Sequence, residues 1–164
     1  MGIPALPFYR YERTVAKYRY PSIPKTLGEH IRKARIERGL LQRKVAEVLA
    51  VCEDSVTHWE TNYSAPQIHC YTSIIQFLGY YPFSHETDSL SGKLQQLRHC
   101  RGYSYKQLGI SLDVDGSTAR SWELEKHKPN TLKQSLIIQL WSQLPEFITL
   151  HSQLNTNGNE RTKS

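Results

Sequence analysis

The sequence predicts an all-α fold built from one helical unit used twice, and two observations carry that expectation. The first is internal. Shifting the 164-residue chain against itself by 63 positions, without a gap, lays Trp59-Glu60 on Trp122-Glu123 and Ile74-Ile75-Gln76 on Ile137-Ile138-Gln139. Leu27, Arg35, Arg38, Gly39, Leu49, Val51, Pro66 and Pro82 meet identical residues in the same register. A repeat of this length holds several helical periods and its own punctuation, so each copy is a small fold rather than one turn of a solenoid. The second observation is that the apolar residues of a copy recur at helical and not at strand spacing.

In the first copy Leu27, Ile31 and Ala34 form one stripe that ends at Gly39, which predicts a helix of about three turns. A second short helix is expected from Gln42 to Leu49, with Val45, Ala46 and Leu49 inward. The connection through residues 50–52 is very tight, and a third helix opens on Glu53-Asp54-Ser55, where acids suit the positive end of the helix dipole. Helices joined so closely must cross steeply with a small residue at the contact; Ala46 and its counterpart Gly109 supply it. Tyr71, Ile74, Ile75 and Leu78 give the stripe of a fourth helix, expected to stop at Pro82.

These residues reach a family. The pattern Arg35-x-x-x-Gly39, Leu40-x-Gln42, Val45-Ala46, Leu49-x-Val51 and Ser55-Val56-x-x-Trp59-Glu60, with Pro66 six residues on, resembles the Cro/C1-type (XRE) helix-turn-helix domain across residues 26 to 83. The second copy resembles it more loosely over 90 to 145. The resemblance implies two tandem lambda-repressor-like helix-turn-helix domains of about five short helices each, the third helix of each lying in a DNA major groove. The expected organisation is a basic, aromatic arm (1–25), a first domain (26–83), a linker (84–89), a second domain (90–150) and a polar tail (151–164).

Residue roles follow by motif position. Gln42, Arg43 and Lys44, with Asn62, Tyr63 and Ser64 after the third helix, are expected at phosphates. Glu53, Asp54, Thr57 and His58 are expected at base edges. In the second copy the phosphate set is Tyr105, Lys106, Gln107, Lys126, His127 and Lys128, and the base set is Gly116, Ser117, Arg120 and Ser121. Arg120 is the foremost base reader, because a guanidinium grips guanine O6 and N7 together. Carboxylates at Glu53 and Asp54 meet DNA only by accepting from cytosine N4, and otherwise serve the helix dipole. Arg35 with Glu60 and Arg98 with Glu123 are expected to be internal ion pairs, as in similar repressor domains, and Trp59 and Trp122 to be core. Ala50 and Asp113 stand at a turn position that is usually Gly, which forecasts strain at Ala50. Asp115 is the better N-cap, and Cys52 the poorer.

The chain carries a formal net charge of +6, and residues 1–25 hold five basic side chains against one acid. The first copy, 26–83, balances six against six. Arg10, Arg13, Lys17 and Arg19 alternate with aromatics between prolines, a composition suited to phosphates or a minor groove, to packing on the first repeat, or to a protein partner. No apolar run approaches the roughly 18 residues that span a bilayer, no secretory core follows Met1, and the three cysteines lack metal or disulfide spacing. The expectation is therefore a cytoplasmic, nucleoid-associated, non-enzymatic protein without cofactor or metal, monomeric or weakly dimeric. Its partner would be double-stranded DNA, with polymerase, a recombinase or a toxin as further partners. Three functions fit: a bacterial or phage transcriptional regulator, a DNA-targeting or architectural subunit of a mobile element or defence system, and a protein-interaction module such as an antitoxin.

Overall fold

A computed structural model describes residues 23–83 and 89–145, and most of the basic arm, most of the linker, residues 146–150 and the polar tail lie outside them. The described residues are all-helical: α1 (Leu27–Glu37), α2 (Gln42–Leu49), α3 (Glu53–Glu60), α4 (Tyr71–Leu78), α5 (Leu90–Arg101), α6 (Tyr105–Ser111), α7 (Gly116–Glu123) and α8 (Thr131–Ser142). The first residues of α5, α6 and α7 each fall 63 positions after those of α1, α2 and α3, so the duplication is one of structure as well as sequence. Thr26 and Ser89, also 63 apart, each cap their helix by accepting an amide hydrogen bond. The left-handed backbone positions repeat too: Gly39 with Gly102, Ala50 with Asp113, and Asn62 with Glu125.

Four α-helices per copy, rather than five, are found among these residues. The remaining piece of the first copy is a 3-10 turn, Ile68–Cys70, whose preceding residue Gln67 makes no side-chain cap. At the equivalent point of the second copy Asn130 accepts from the Lys133 amide, and the turn joins α8 as regular helix. A second difference concerns the end of α4. Gly79 terminates it in the left-handed conformation, φ 79°, three residues before Pro82. Arg38, at the end of α1, crosses to donate to the Phe77 and Leu78 carbonyls, satisfying groups that a helix end leaves free.

The expected stripes are buried. Leu27, Ile31, Ala34, Val45, Ala46, Leu49, Val56 and Trp59 make one core with Ile74, Phe77 and Leu78 of α4. Leu94, Leu97, Cys100, Leu108, Leu112, Ala119, Ile137 and Leu144 make a second. Trp59 is core, whereas Trp122 is half-buried and packs at the edge of the second cluster. Ile75 and Tyr81 belong to the second core although they lie in the first copy. Helix α4 is therefore two-faced: Ile74 and Leu78 close the first unit, and Ile75 docks on α5 of the next. An aromatic cluster of Tyr71, Tyr81, Phe83 and His99 seals this joint, with Phe83 and His99 ring centres 4.7 Å apart. Tyr81 Oη and His99 Nδ1 share a 2.9 Å hydrogen bond, and Thr72 Oγ1 donates to the Cys100 carbonyl at 3.0 Å. Burial in this core pushes the Cys100 thiol up to about 12, so it is an inert filler rather than a nucleophile.

Both ion pairs are present and bidentate. Arg35 reaches Glu60 at 2.6 and 2.8 Å, and Arg98 reaches Glu123 at 2.7 and 2.9 Å. The glutamates are almost fully buried, with side chains 2% and 4% exposed. Truncating one partner of such a pair leaves an uncompensated buried charge. Glu60→Ala is expected to destabilise the protein by about 3 kcal/mol, read as a lower denaturation midpoint. An unchanged melt would remove the pair from the folding argument. Ala50, with φ 55°, bears the strain forecast for it, since its Cβ crowds the following carbonyl there. Ala50→Gly is expected to raise the denaturant midpoint by an equivalent of about 0.5 to 1 kcal/mol with an unchanged slope.

Candidate nucleic-acid interface

Residues 50–52 and 113–115 turn α2 into α3 and α6 into α7 without room for a longer loop. Gly109 permits a close approach between α6 and the turn, because a Cβ there would stand 2.7 Å from the Val114 carbonyl oxygen. Gly116 is likewise pressed on α6: a Cβ would lie 2.9 Å from the Tyr105 carbonyl oxygen. The start of α7 is thus held by contact, and Gly116, expected at a base edge, owes its identity to that packing. Asp115 accepts from the Ser117 amide at 2.7 Å, and hydrogen bonding to the Ser117 side chain and then to its amide holds the carboxyl below the usual range. Cys52 makes no backbone cap; its thiol meets Ser55 Oγ at 3.0 Å, which lowers the thiol pKa. The second of these helices therefore starts the more firmly, as expected.

The residues expected at phosphates separate into two groups. Gln42 and Tyr105, equivalent in the two copies, turn inward: Gln42 Nε2 donates to Glu60 at 3.0 Å and Tyr105 Oη to Glu123 at 3.1 Å. Gln107 completes a capping box with Ser104. Asn62 adopts a left-handed backbone while its side chain accepts from Thr26 Oγ1 at 2.6 Å, tying the loop after α3 back to α1. Arg43, Lys44, Tyr63 and Ser64 are exposed, as are Lys106, Lys126, His127 and Lys128. Arg43 and Lys44 both pair with Glu47, at 3.8 and 2.9 Å, which depresses the Glu47 carboxyl through the Lys44 hydrogen bond. The side chains of Lys106, Lys126 and Lys128 have no such acid among the ion pairs of the described residues.

On the outer faces of α3 and α7 the two copies diverge. Glu53, Asp54 and His58 are exposed on α3, with His58 packed on the Tyr63 ring at 4.8 Å. Thr57 is half-buried and donates to the Glu53 carbonyl at 3.2 Å. On α7, Ser117 and Arg120 are exposed, whereas Ser121 is half-buried and donates back to the Thr118 carbonyl. The Arg120 guanidinium stands over the Tyr105 ring, 5.7 Å from its centre, and the same tyrosine also stacks with Arg98 at 4.5 Å. Sequence reasoning assigned Tyr105 to phosphate and missed this platform. Its signal was an aromatic residue beginning α6 opposite an arginine in α7. Burial and the neighbouring Glu123 raise the Tyr105 phenol, which keeps it a donor.

Charge follows the same division. Residues 89–145 hold eight Lys and Arg against four Asp and Glu, an excess of +4, while 26–83 balance. A groove of about 520 Å³ runs beside this basic segment and is lined by Leu90, Leu94, Trp122, His127, Lys128 and Ile137. Among the described residues no cluster of His, Cys, Asp and Glu is placed to hold a metal ion, and no helix is long and apolar enough to cross a membrane. The expected arm contacts Arg10, Arg13, Lys17 and Arg19 lie outside the described residues. Comparison with protein-family models, with curated proteins and with solved structures returns no match.

Proposed function

We propose that this protein reads double-stranded DNA through tandem helix-turn-helix units, as a transcriptional regulator, and that the second unit supplies most of the purchase. The observation that carries the reading is the exposed surface of α7 and its flanks. Arg120 lies exposed on a short helix, steadied by Tyr105, with exposed Lys106 following that tyrosine in α6 and exposed Lys126, His127 and Lys128 following α7. An arginine held over a ring loses less freedom when it engages a base, so the stacking preorganises the contact. Flanking lysines neutralise phosphates and set the register without reading sequence. The residues of the first unit fit a lesser share: its basic side chains Arg43 and Lys44 are engaged with Glu47, and Glu53 and Asp54 repel the backbone except where cytosine N4 is offered.

The acidic outer face of α3 also favours a second reading, in which that face binds a protein. A recombinase, polymerase or toxin would then be brought to DNA held by the second unit. This is the targeting function of a mobile element or defence system, with an antitoxin as its protein-binding extreme.

The experiment is a set of titrations at several salt concentrations against a selected duplex and a scrambled one. Arg120→Ala is expected to cost roughly 1 to 3 kcal/mol on the selected duplex alone. Replacing Lys126 and Lys128 with Ala is expected to weaken both duplexes alike and to reduce the salt slope by about 1 for each phosphate that a lysine had neutralised. Equal weakening on both duplexes after Arg120→Ala would place Arg120 at a phosphate. Removing residues 1–24 flattens the salt slope if the arm lies on phosphates.

A further inference from the structure

The two units are joined head to tail. Isologous packing would use the same patch on both, so that every contact from unit one to unit two has a mirror contact in return. Here Ile75 of α4 is 1% exposed in the second core, while its counterpart Ile138 of α8 is 49% exposed. Thr72 Oγ1 donates across the joint to the Cys100 carbonyl; its counterpart Ser135 donates instead to Thr131 within its own helix, at 3.1 Å. Tyr81 bonds to His99, a pair whose counterparts are Leu144 and Ile36 and form no such bond. The contact is α4 on α5, and α8 turns its packing to α5 rather than to α1. No two-fold axis relates the units.

A palindromic operator is read by modules related by a two-fold that coincides with a dyad of the duplex. Units packed through unlike faces cannot place their α3 and α7 on dyad-related half-sites without breaking the joint. Resting on the DNA reading proposed above, we infer that one chain takes one non-palindromic duplex whose two subsites are not an inverted pair. The subsites also differ in chemistry. Arg120 and Ser117 on α7 suit a guanine, and Glu53, Asp54 and His58 on α3 suit a position that offers the cytosine amine.

The test uses the full chain and leaves the protein unaltered in the deciding titrations, so folding does not enter them. Bound fragments are selected from random duplexes, and the subsite under α7 is located as the base pair at which Arg120→Ala loses selectivity. Three duplexes are then titrated at one salt concentration, with the number of chains per duplex measured by sedimentation. These are the selected site, the same site with the α7 half inverted in place, and a palindrome of that half. One chain per selected duplex is expected, with inversion weakening binding at least tenfold and the palindrome binding no tighter than the inverted duplex. A palindromic selected site, or two chains on the palindrome at equal or better affinity, overturns the inference and leaves the DNA reading standing. Failure to select any sequence above scrambled duplex overturns both.

Discussion

The buried arginine–glutamate fork is the constraint on which each unit is assembled. Arg35 lies in the last turn of α1 and Glu60 at the end of α3, and Gln42 at the start of α2 donates to the same carboxylate. One carboxylate thereby fixes three helices, and the second copy repeats the device with Arg98, Glu123 and Tyr105. Geometry of this kind tolerates little: a guanidinium fork accepts a carboxylate in one plane, so the angle between α1 and α3 is set by bonding rather than by apolar packing alone. The apolar side chains around it exclude water and make an unpaired partner expensive. What varies between copies is the third group. Tyrosine in place of glutamine keeps the hydrogen bond and adds a ring, on which both Arg98 and Arg120 lie. The internal brace of the second unit thus extends to its outer surface, which the first unit lacks.

A second constraint comes from α4, which has to complete one core and begin another. Adjacent residues on a helix point about 100° apart, so Ile74 and Ile75 can serve different partners. The joint they make is sealed by rings around His99 and by the Thr72 hydrogen bond, which together resist sliding in a way that an aliphatic seam alone does not. The second unit is consequently held on the first by packed side chains among the described residues.

Much of this was legible in the sequence. The starts of α1 to α3 and their inward residues followed from helical spacing, both ion pairs from the repeat together with the family resemblance, and the special turn at Ala50 and Asp113 from the resemblance, whereas the left-handed backbone at Asn62 and Glu125 did not follow. The two faces of α4 did not follow. Tyr71, Ile74, Ile75 and Leu78 announce a buried stripe, but periodicity says that a side is buried and not against what. The aromatic joint escaped for the same reason: Tyr71, Tyr81, Phe83 and His99 occur once, at positions whose counterparts are Gln134, Leu144, Glu146 and Ile36. The stop at Gly79 was credited to the stronger breaker, Pro82, although a left-handed glycine ends a helix without help. At the surface, motif position put Gln42 and Tyr105 beside Arg43 and Lys106 in one class, whereas a buried carboxylate partner separates them.

Divergence between the copies has a physical direction. The arginine–glutamate fork and the left-handed turn positions match between the copies, while the outer faces of α3 and α7 carry opposite charge. Asp115 caps α7 from outside its first turn, so the positive end of that helix is satisfied without acid on the outward face, which is left to Ser117 and Arg120. In α3 the cap position holds Cys52, whose side chain makes no capping hydrogen bond, and the first turn itself carries Glu53 and Asp54. Stabilising α3 and presenting cations on its first turn are therefore in conflict, because the acids that serve the dipole occupy that turn. The second unit escapes that conflict by one residue, Asp115, which caps α7 and leaves its first turn free of acid with Arg120 exposed beyond it.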